Sequence, residues 1–219
     1  PTEIPKSDIS EKVIKYFKDH RSISEGTLNY LKITNGRTWM PKAQKEIDVI
    51  EFRYYLHGKL VNTKYRGAGK DFMFIKDAKI IPYNIDSILG STIAYIVEGE
   101  IDCCSVIESG LHSVISVPNG FTLPRKDGTS TINLEYLDDF IDYFESIDKI
   151  VIASDNDEAG IHGKNELIRR LGAEKCYTVN FEDCKDANEY LVKYGKDKLR
   201  DVLDNYSPLP LKKVKLSSE

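Results

Sequence analysis

The chain has 219 residues, 41% hydrophobic and 30% charged, with a formal net charge of −4 and a sequence pI near 5.7. That size and apolar content suit one or two folded domains with a sizeable core. No stretch approaches the length of a membrane span, so no membrane partner is expected, and an acidic balance means any nucleic-acid contact must come from local basic clusters.

The opening Pro1-Thr2-Glu3-Ile4-Pro5 is not a signal peptide and reads as the start of an excised fragment of an intracellular, cytoplasmic protein. Asp8-Ile9-Ser10-Glu11 begins an amphipathic helix by the capping-box pattern, with Ile9, Val13, Ile14 and Phe17 as its apolar face. Ser22-Ile23-Ser24-Glu25 repeats the signal before a short helix that turns Leu28 and Leu31 inward, and Asn35-Gly36 is expected to turn the chain. From Arg37 to Ile75 the pattern alternates with β-branched and aromatic residues, which predicts an antiparallel meander with strands over 47–55, 60–66 and 72–75. His57-Gly58-Lys59 is its hairpin, and Gly67-Ala68-Gly69-Lys70 is a small-residue loop where backbone could approach a phosphate.

Beyond residues 82–90 a regular alternation of strand and helix begins, which predicts a parallel sheet. Strands are expected over 93–97, 113–117, 149–153 and 176–180, and helices over 102–109, 134–145, 158–171, 187–193 and 196–205. The domain reading is therefore an α+β subdomain over residues 1–88, a parallel-sheet α/β domain over 89–206, and a linker or tail over 207–219, where Pro208, Pro210 and a basic run lie. Pro118-Asn119-Gly120-Phe121 follows a strand and should border the same crevice as the other strand ends. The segment 122–131 is long for such a connection and reads equally as a flap or a surface insertion.

Three acidic clusters follow strand-like runs: Glu98-Gly99-Glu100-Ile101-Asp102, Asp155-Asn156-Asp157-Glu158-Ala159-Gly160 and Lys185-Asp186-Ala187-Asn188-Glu189. In an open α/β sheet, ligands bind beyond the carboxyl ends of the strands, so these clusters are expected to meet in one site. Crowded carboxylates suit a hard divalent cation such as magnesium, and phosphoryl or nucleotidyl transfer is the chemistry such a site serves. One of Asp155 and Asp157 can instead cap the following helix, but capping does not account for the whole set. Cys103, Cys104, Cys176 and Cys184 lack metal-binding spacing and are expected to be reduced and buried, and the four histidines suggest no zinc site.

The ordered set Glu-Gly-Glu-Ile-Asp, Asp-x-Asp-Glu-Ala-Gly and Lys-Asp-Ala-Asn-Glu resembles the Toprim domain of DnaG-type primases and of the primase half of phage and Twinkle-like primase-helicases. The resemblance runs from about Ile9 to Tyr206. It implies a Rossmann-like Toprim domain behind the N-terminal subdomain, and an RNA polymerase core that makes primers from ribonucleoside triphosphates on single-stranded DNA. It also implies Mg2+ or Mn2+ held by Asp155, Asp157, Asp186 and Glu98, with Glu98 a further ligand or the base. Glu100 and Asp102 are expected to support these residues from behind, although Asp102 is placed to reach a metal. A replicative helicase, fused or separate, is the implied protein partner.

Alternation in the second meander strand puts Lys64 and Arg66 on one face. By residues alone Lys64, Arg66 and Lys70 read as a solvated strand face. The resemblance makes them, with Lys185 as a weaker candidate, contacts to nucleotide or template phosphates. Two other classes use related residues: a Toprim nuclease, and a metal-free nucleic-acid-binding Toprim module. The intact acidic set argues against the module, and the primase-like Lys-Asp-Ala-Asn-Glu block argues against the nuclease. A phosphoacceptor receiver domain is more remote, lacking a Thr and Lys pair at later strand ends.

Overall fold

The structure is a computed structural model that describes residues 9–127 and 129–209. Helix α1 spans Glu11–Arg21 and stops where Ser22 enters the left-handed region at φ 55, returning its N–H to the Phe17 carbonyl. Ser10 makes no side-chain cap; its N–H is taken by Asn35 Oδ1 at 2.6 Å. Helix α2, Glu25–Tyr30, is capped by Ser24, whose hydroxyl accepts from Thr27 N at 3.4 Å.

Strands β1 (Thr34–Met40), β2 (Lys45–Leu56), β3 (Lys59–Gly67) and β4 (Asp71–Phe74) form an antiparallel sheet in that order. The meander is thus as expected, with one more strand at its start. Asn35-Gly36 does not turn the chain: Asn35 pairs with Ile50 and Gly36 with Val49 inside β1. A Cβ at Gly36 would sit 2.5 Å from Glu51 Oε1, the movable end of a side chain that Thr34 and Arg53 hold in place. The glycine marks a close cross-strand approach, which a two-residue turn signal cannot be told from in sequence.

The second sheet has the order β6-β5-β7-β8-β9. Strands β5 (Ile93–Val97), β6 (Val114–Ser116), β7 (Lys149–Ala153) and β8 (Cys176–Thr178) are parallel. Helices α3 (Glu100–Glu108), α5 (Glu158–Leu171), α6 (Ala187–Tyr194) and α7 (Lys196–Asp204) alternate with them. Strand β9, Ser207–Pro208, runs antiparallel to β8 at the edge, a position where proline's missing N–H is tolerated. The sheet therefore takes two residues from the stretch assigned to the tail, and residues 210–219 lie outside those described.

The single helix expected over 134–145 is a 3-10 turn, Glu135–Phe140, running into the short helix α4, Ile141–Glu145. At that break Asp138 and Asp139 turn outward to ion pairs with Arg170 and Lys79. One continuous core, from Phe17, Leu28 and Phe52 through Tyr54 and Tyr83 to Ile96, Val106 and Ile152, joins the helices to both sheets. All four cysteines are free and buried within it, as expected.

Candidate active site

Val97 and Ala153, the last residues of β5 and β7, are paired, so the two acidic loops leave the sheet side by side. Carboxylate oxygens of Asp102, Asp155 and Asp186 lie within 4.8 Å of one another. Asp186 is the N-cap of α6, accepting from Glu189 N at 2.8 Å, and Asp102 on the first turn of α3 accepts from Asn188 N at 3.1 Å. Of the four expected ligands, the geometry brings Asp155 and Asp186 together, and Asp102 completes the trio. Asp102 lies close over Gly99, where a Cβ would meet Asp102 Oδ2 at 3.0 Å.

Glu98 and Asp157 flank this trio in different ways. Glu98 Oε1 accepts from Phe121 N at 3.0 Å, while its Oε2 is buried without a hydrogen-bond partner among the described residues. Asp157 is the N-cap of α5, accepting from Gly160 N at 2.9 Å, and lies outside the 4.8 Å cluster. Gly160 is required at this spacing because a Cβ there would sit 2.1 Å from the Asp155 carbonyl oxygen. Lys185 Nζ bridges Asp155 Oδ2 at 3.0 Å and Asp157 Oδ2 at 3.1 Å.

These surroundings split the carboxylates. Burial, then the charge of Asp155, pushes Glu98 up to about 7. Burial, then Asp186 and Asp155, holds Asp102 well above the carboxylate range, and burial also raises Asp155 against the pull of Lys185. Asp157 is lowered, first by the Gly160 N–H. Hydrogen bonding to Asp155 raises Lys185 above the usual lysine value. An all-oxygen donor set, a buried carboxylate oxygen without a partner, and carboxyls whose ionisation is resisted first by burial and then by one another all fit a hard divalent cation such as Mg2+ or Mn2+.

Across a cleft of about 410 Å³ stands the meander, presenting Lys64, Arg66 and Phe72. Lys64 and Arg66 share that face, as the alternation of β3 predicts. Lys64 is not solvated, however: it is 8% exposed, with Nζ 2.8 Å from Glu100 Oε1 and donating to the Pro118 carbonyl at 2.6 Å. Tyr54 donates its hydroxyl to the same Glu100 oxygen. Arg66 has no ion pair among the described residues, and its guanidinium lies 5.2 Å from the Phe72 ring centroid. Lys70 closes the 3-10 turn Ala68–Lys70, where Gly69 has φ 70; its side chain lies outside the described part.

The loop after β6 borders the cleft as expected, with Asn119 and Gly120 on its lining. Phe121 fixes it from behind: a Cβ on Gly163 of α5 would lie 2.0 Å from that ring, so glycine makes room for it. Segment 122–131 is drawn together at its base by Thr122 and Thr131 hydroxyls 2.7 Å apart.

Two features were not found by sequence reading. Asn188, 3% exposed, gives Nδ2 to the Arg21 carbonyl at 3.0 Å and to Ser105 Oγ at 2.9 Å, and accepts from Arg21 Nη1 at 3.0 Å. It thus ties α1 to α3 and α6 directly behind the acids, and its place in the Lys-Asp-Ala-Asn-Glu block was the available signal. The Lys64–Glu100–Tyr54 knot carries no local signal, because its members come from β2, β3 and α3.

Residues 95–191 match the family model described as Toprim-like. The chain is 37% identical over 183 residues to the primase homolog protein of Arabidopsis thaliana, covering 77% of this chain and 54% of that protein. It is 34% identical over 204 residues to the Twinkle homolog protein, chloroplastic/mitochondrial, of the same plant, covering 87% of this chain and 28% of the relative. The chain thus spans about half the length of the first relative and less of the second. The crystal structure of the primase fragment of the bacteriophage T7 primase-helicase protein superposes with a TM-score of 0.67 at 22% identity, over 84% of this chain and 72% of that one, which shows a shared fold.

Proposed function

On the Toprim-like match over residues 95–191 and the likeness to primase homologues, we propose that the chain is the RNA polymerase core of a DNA primase. It joins ribonucleoside triphosphates on a single-stranded DNA template. The observation that carries the reading is the trio Asp102, Asp155 and Asp186 within 4.8 Å at the sheet edge, facing Arg66 across one cleft. Nucleotidyl transfer needs negative ligands for ions at one side of a triphosphate and fixed positive charge at the other.

Asp155, Asp186 and Asp102 would hold Mg2+ or Mn2+, with Glu98 and Asp157 beside them. A bound ion supplies charge stabilisation for the triphosphate and for the departing pyrophosphate. Glu98 takes the proton as the primer 3′ oxygen attacks the α-phosphorus and the bond to the β-phosphate oxygen breaks; the Phe121 N–H holds its Oε1, and its Oε2 has no hydrogen-bond partner among the described residues. Arg66 and Lys185 neutralise phosphate charge, and Lys70 is a template contact. Lys64, engaged by Glu100, acts by holding Pro118 in the loop that carries Phe121 to Glu98.

The T7 fold relative is named as a primase-helicase, and a replicative helicase, fused or separate, is the protein partner this reading assigns. Among the described residues no helix is long and apolar enough to cross a membrane. The cytoplasm is the proposed compartment.

The test is to incubate the chain with single-stranded DNA, labelled ribonucleotides and Mg2+ or Mn2+. Short RNA products are expected from the wild type and none above background from Asp155→Asn. Degradation of the DNA in place of synthesis would transfer the site to a Toprim nuclease.

A further inference from the structure

Phe72 is 41% exposed, and among the large apolar side chains exposed in the described residues it is the one that lines the catalytic cleft. Its position follows from register. Arg66 pairs with Phe72 and Lys64 with Phe74 across β3 and β4, so the cleft side of this ribbon alternates cation and ring. Strand β4 is the last of its sheet, which leaves Phe72 open from the side. Arg66 lies 5.2 Å and Lys64 Nζ 5.0 Å from its ring centroid. Lys64 is consumed by Glu100, but Arg66 has no ion pair among the described residues and so brings free charge beside the ring.

The cleft therefore has an order along it: carboxylates on the sheet edge, a free guanidinium opposite, and beside that guanidinium an aromatic ring that is 41% exposed at the sheet's edge. A cleft of about 410 Å³ is of ligand size. A molecule with clustered phosphates and a flat π surface matches this order, since every nucleobase stacks on aromatic rings whatever its sequence. We infer that Phe72 is the positioning residue on which a nucleobase stacks while its phosphates, or those of the strand it belongs to, meet Arg66. The inference rests on the primase reading for the identity of the ligand. The base comes from the incoming triphosphate or from the template strand, and the two sources are separable by binding.

The experiment measures equilibrium binding, in Mg2+, of ATP, inorganic triphosphate, a short single-stranded DNA and an abasic DNA of equal length. Wild type, Phe72→Ala and Phe72→Trp are compared. Phe72→Ala is expected to weaken either ATP or the base-bearing DNA roughly tenfold, the size of one lost stacking contact, and to leave triphosphate and abasic DNA unchanged. Phe72→Trp is expected to keep wild-type affinity. Whichever ligand is affected identifies the source of the base. Equal loss for ligands with and without bases would make Phe72 merely structural and overturn the inference, as would unchanged affinity for all four. If unchanged affinity is found while the wild type makes primers, the inference fails and the primase reading stands. If the base-dependent loss is found while no RNA is made, the platform stands and the primase reading falls.

Discussion

The two walls of the cleft carry charges of opposite sign and differ in how those charges are matched. On the meander wall Lys64 is buried and satisfied, by Glu100 at 2.8 Å and by the Pro118 carbonyl at 2.6 Å. On the sheet-edge wall three carboxylates crowd within 4.8 Å, and Glu98 Oε2 is buried without a partner among the described residues. Glu98 and Glu100, two positions apart, fall on opposite sides of this division. The buried Lys64–Glu100 pair fixes the shape of the cleft, while the excess of carboxylate over the single Lys185 cation, and Arg66 without an ion pair among the described residues, are what it offers to chemistry.

The largest test of that division is Lys64→Ala. Removing one partner of a buried pair leaves the other charge uncompensated, which costs about 3–5 kcal/mol. Urea unfolding should show that loss, whereas a phosphate contact on a solvated face would leave stability nearly unchanged. Lys64→Met combined with Glu100→Gln should recover most of it, because Gln still accepts from Tyr54 and no buried charge remains. A Lys64→Ala protein as stable as wild type would put Lys64 back among the substrate contacts.

Gly163→Ala probes the link between the walls. Alanine improves helix propensity over glycine by about 1 kcal/mol. Here its Cβ would lie 2.0 Å from the Phe121 ring, and overpacking of that kind costs about 1–3 kcal/mol. The clash is expected to win, lowering the melting temperature. Primer synthesis should fall further than stability does, since displacing Phe121 removes its N–H from Glu98. A stabilised and fully active variant would show that this ring can move freely.

A smaller effect separates Asp157 from the trio. As the α5 cap, it should lose about 1 kcal/mol on change to alanine and little on change to asparagine, an equally good cap. Asp157→Asn is therefore expected to melt near wild type and to retain more primer synthesis than Asp155→Asn. Equal loss of synthesis in the two asparagine variants would place Asp157 among the ligands.

The parts legible in the sequence are those in which one segment decides its own state. Strand runs such as Ile93–Val97 and Lys149–Ala153 announced the parallel sheet, and acids directly after them announced the site. Alternation in β3 put Lys64 and Arg66 on one face. What failed was whatever depended on a distant neighbour: Gly36 reads as a turn until Val49 pairs with it across the sheet, and Lys64 by residues alone reads as solvated until Glu100 covers it. Packing also brings Asp102 within 4.8 Å of Asp155 and Asp186 while leaving Asp157 outside that cluster, a grouping that no single segment encodes.

The gentlest probe of the unpaired wall is its pH dependence without metal. Glu98, ordinarily near 4.5, is pushed up to about 7, first by burial and then by Asp155. The folded state thus holds this proton more tightly than the unfolded chain does. Its contribution to stability is complete below about pH 4.5 and is lost as pH rises through about 7. Asp102 and Asp155, also raised, act in the same direction, while the lowered Asp157 acts only at more acid pH. In EDTA the wild type is expected to melt at a higher temperature at pH 5.5 than at pH 8. Glu98→Gln should melt above wild type at pH 8 and show a shallower slope, with the remainder left by Asp102 and Asp155. Parallel melting curves for the two proteins across that range would mean that Glu98 carries no stored charge repulsion, and the contrast between the two walls would rest on Asp102, Asp155 and Asp186 alone.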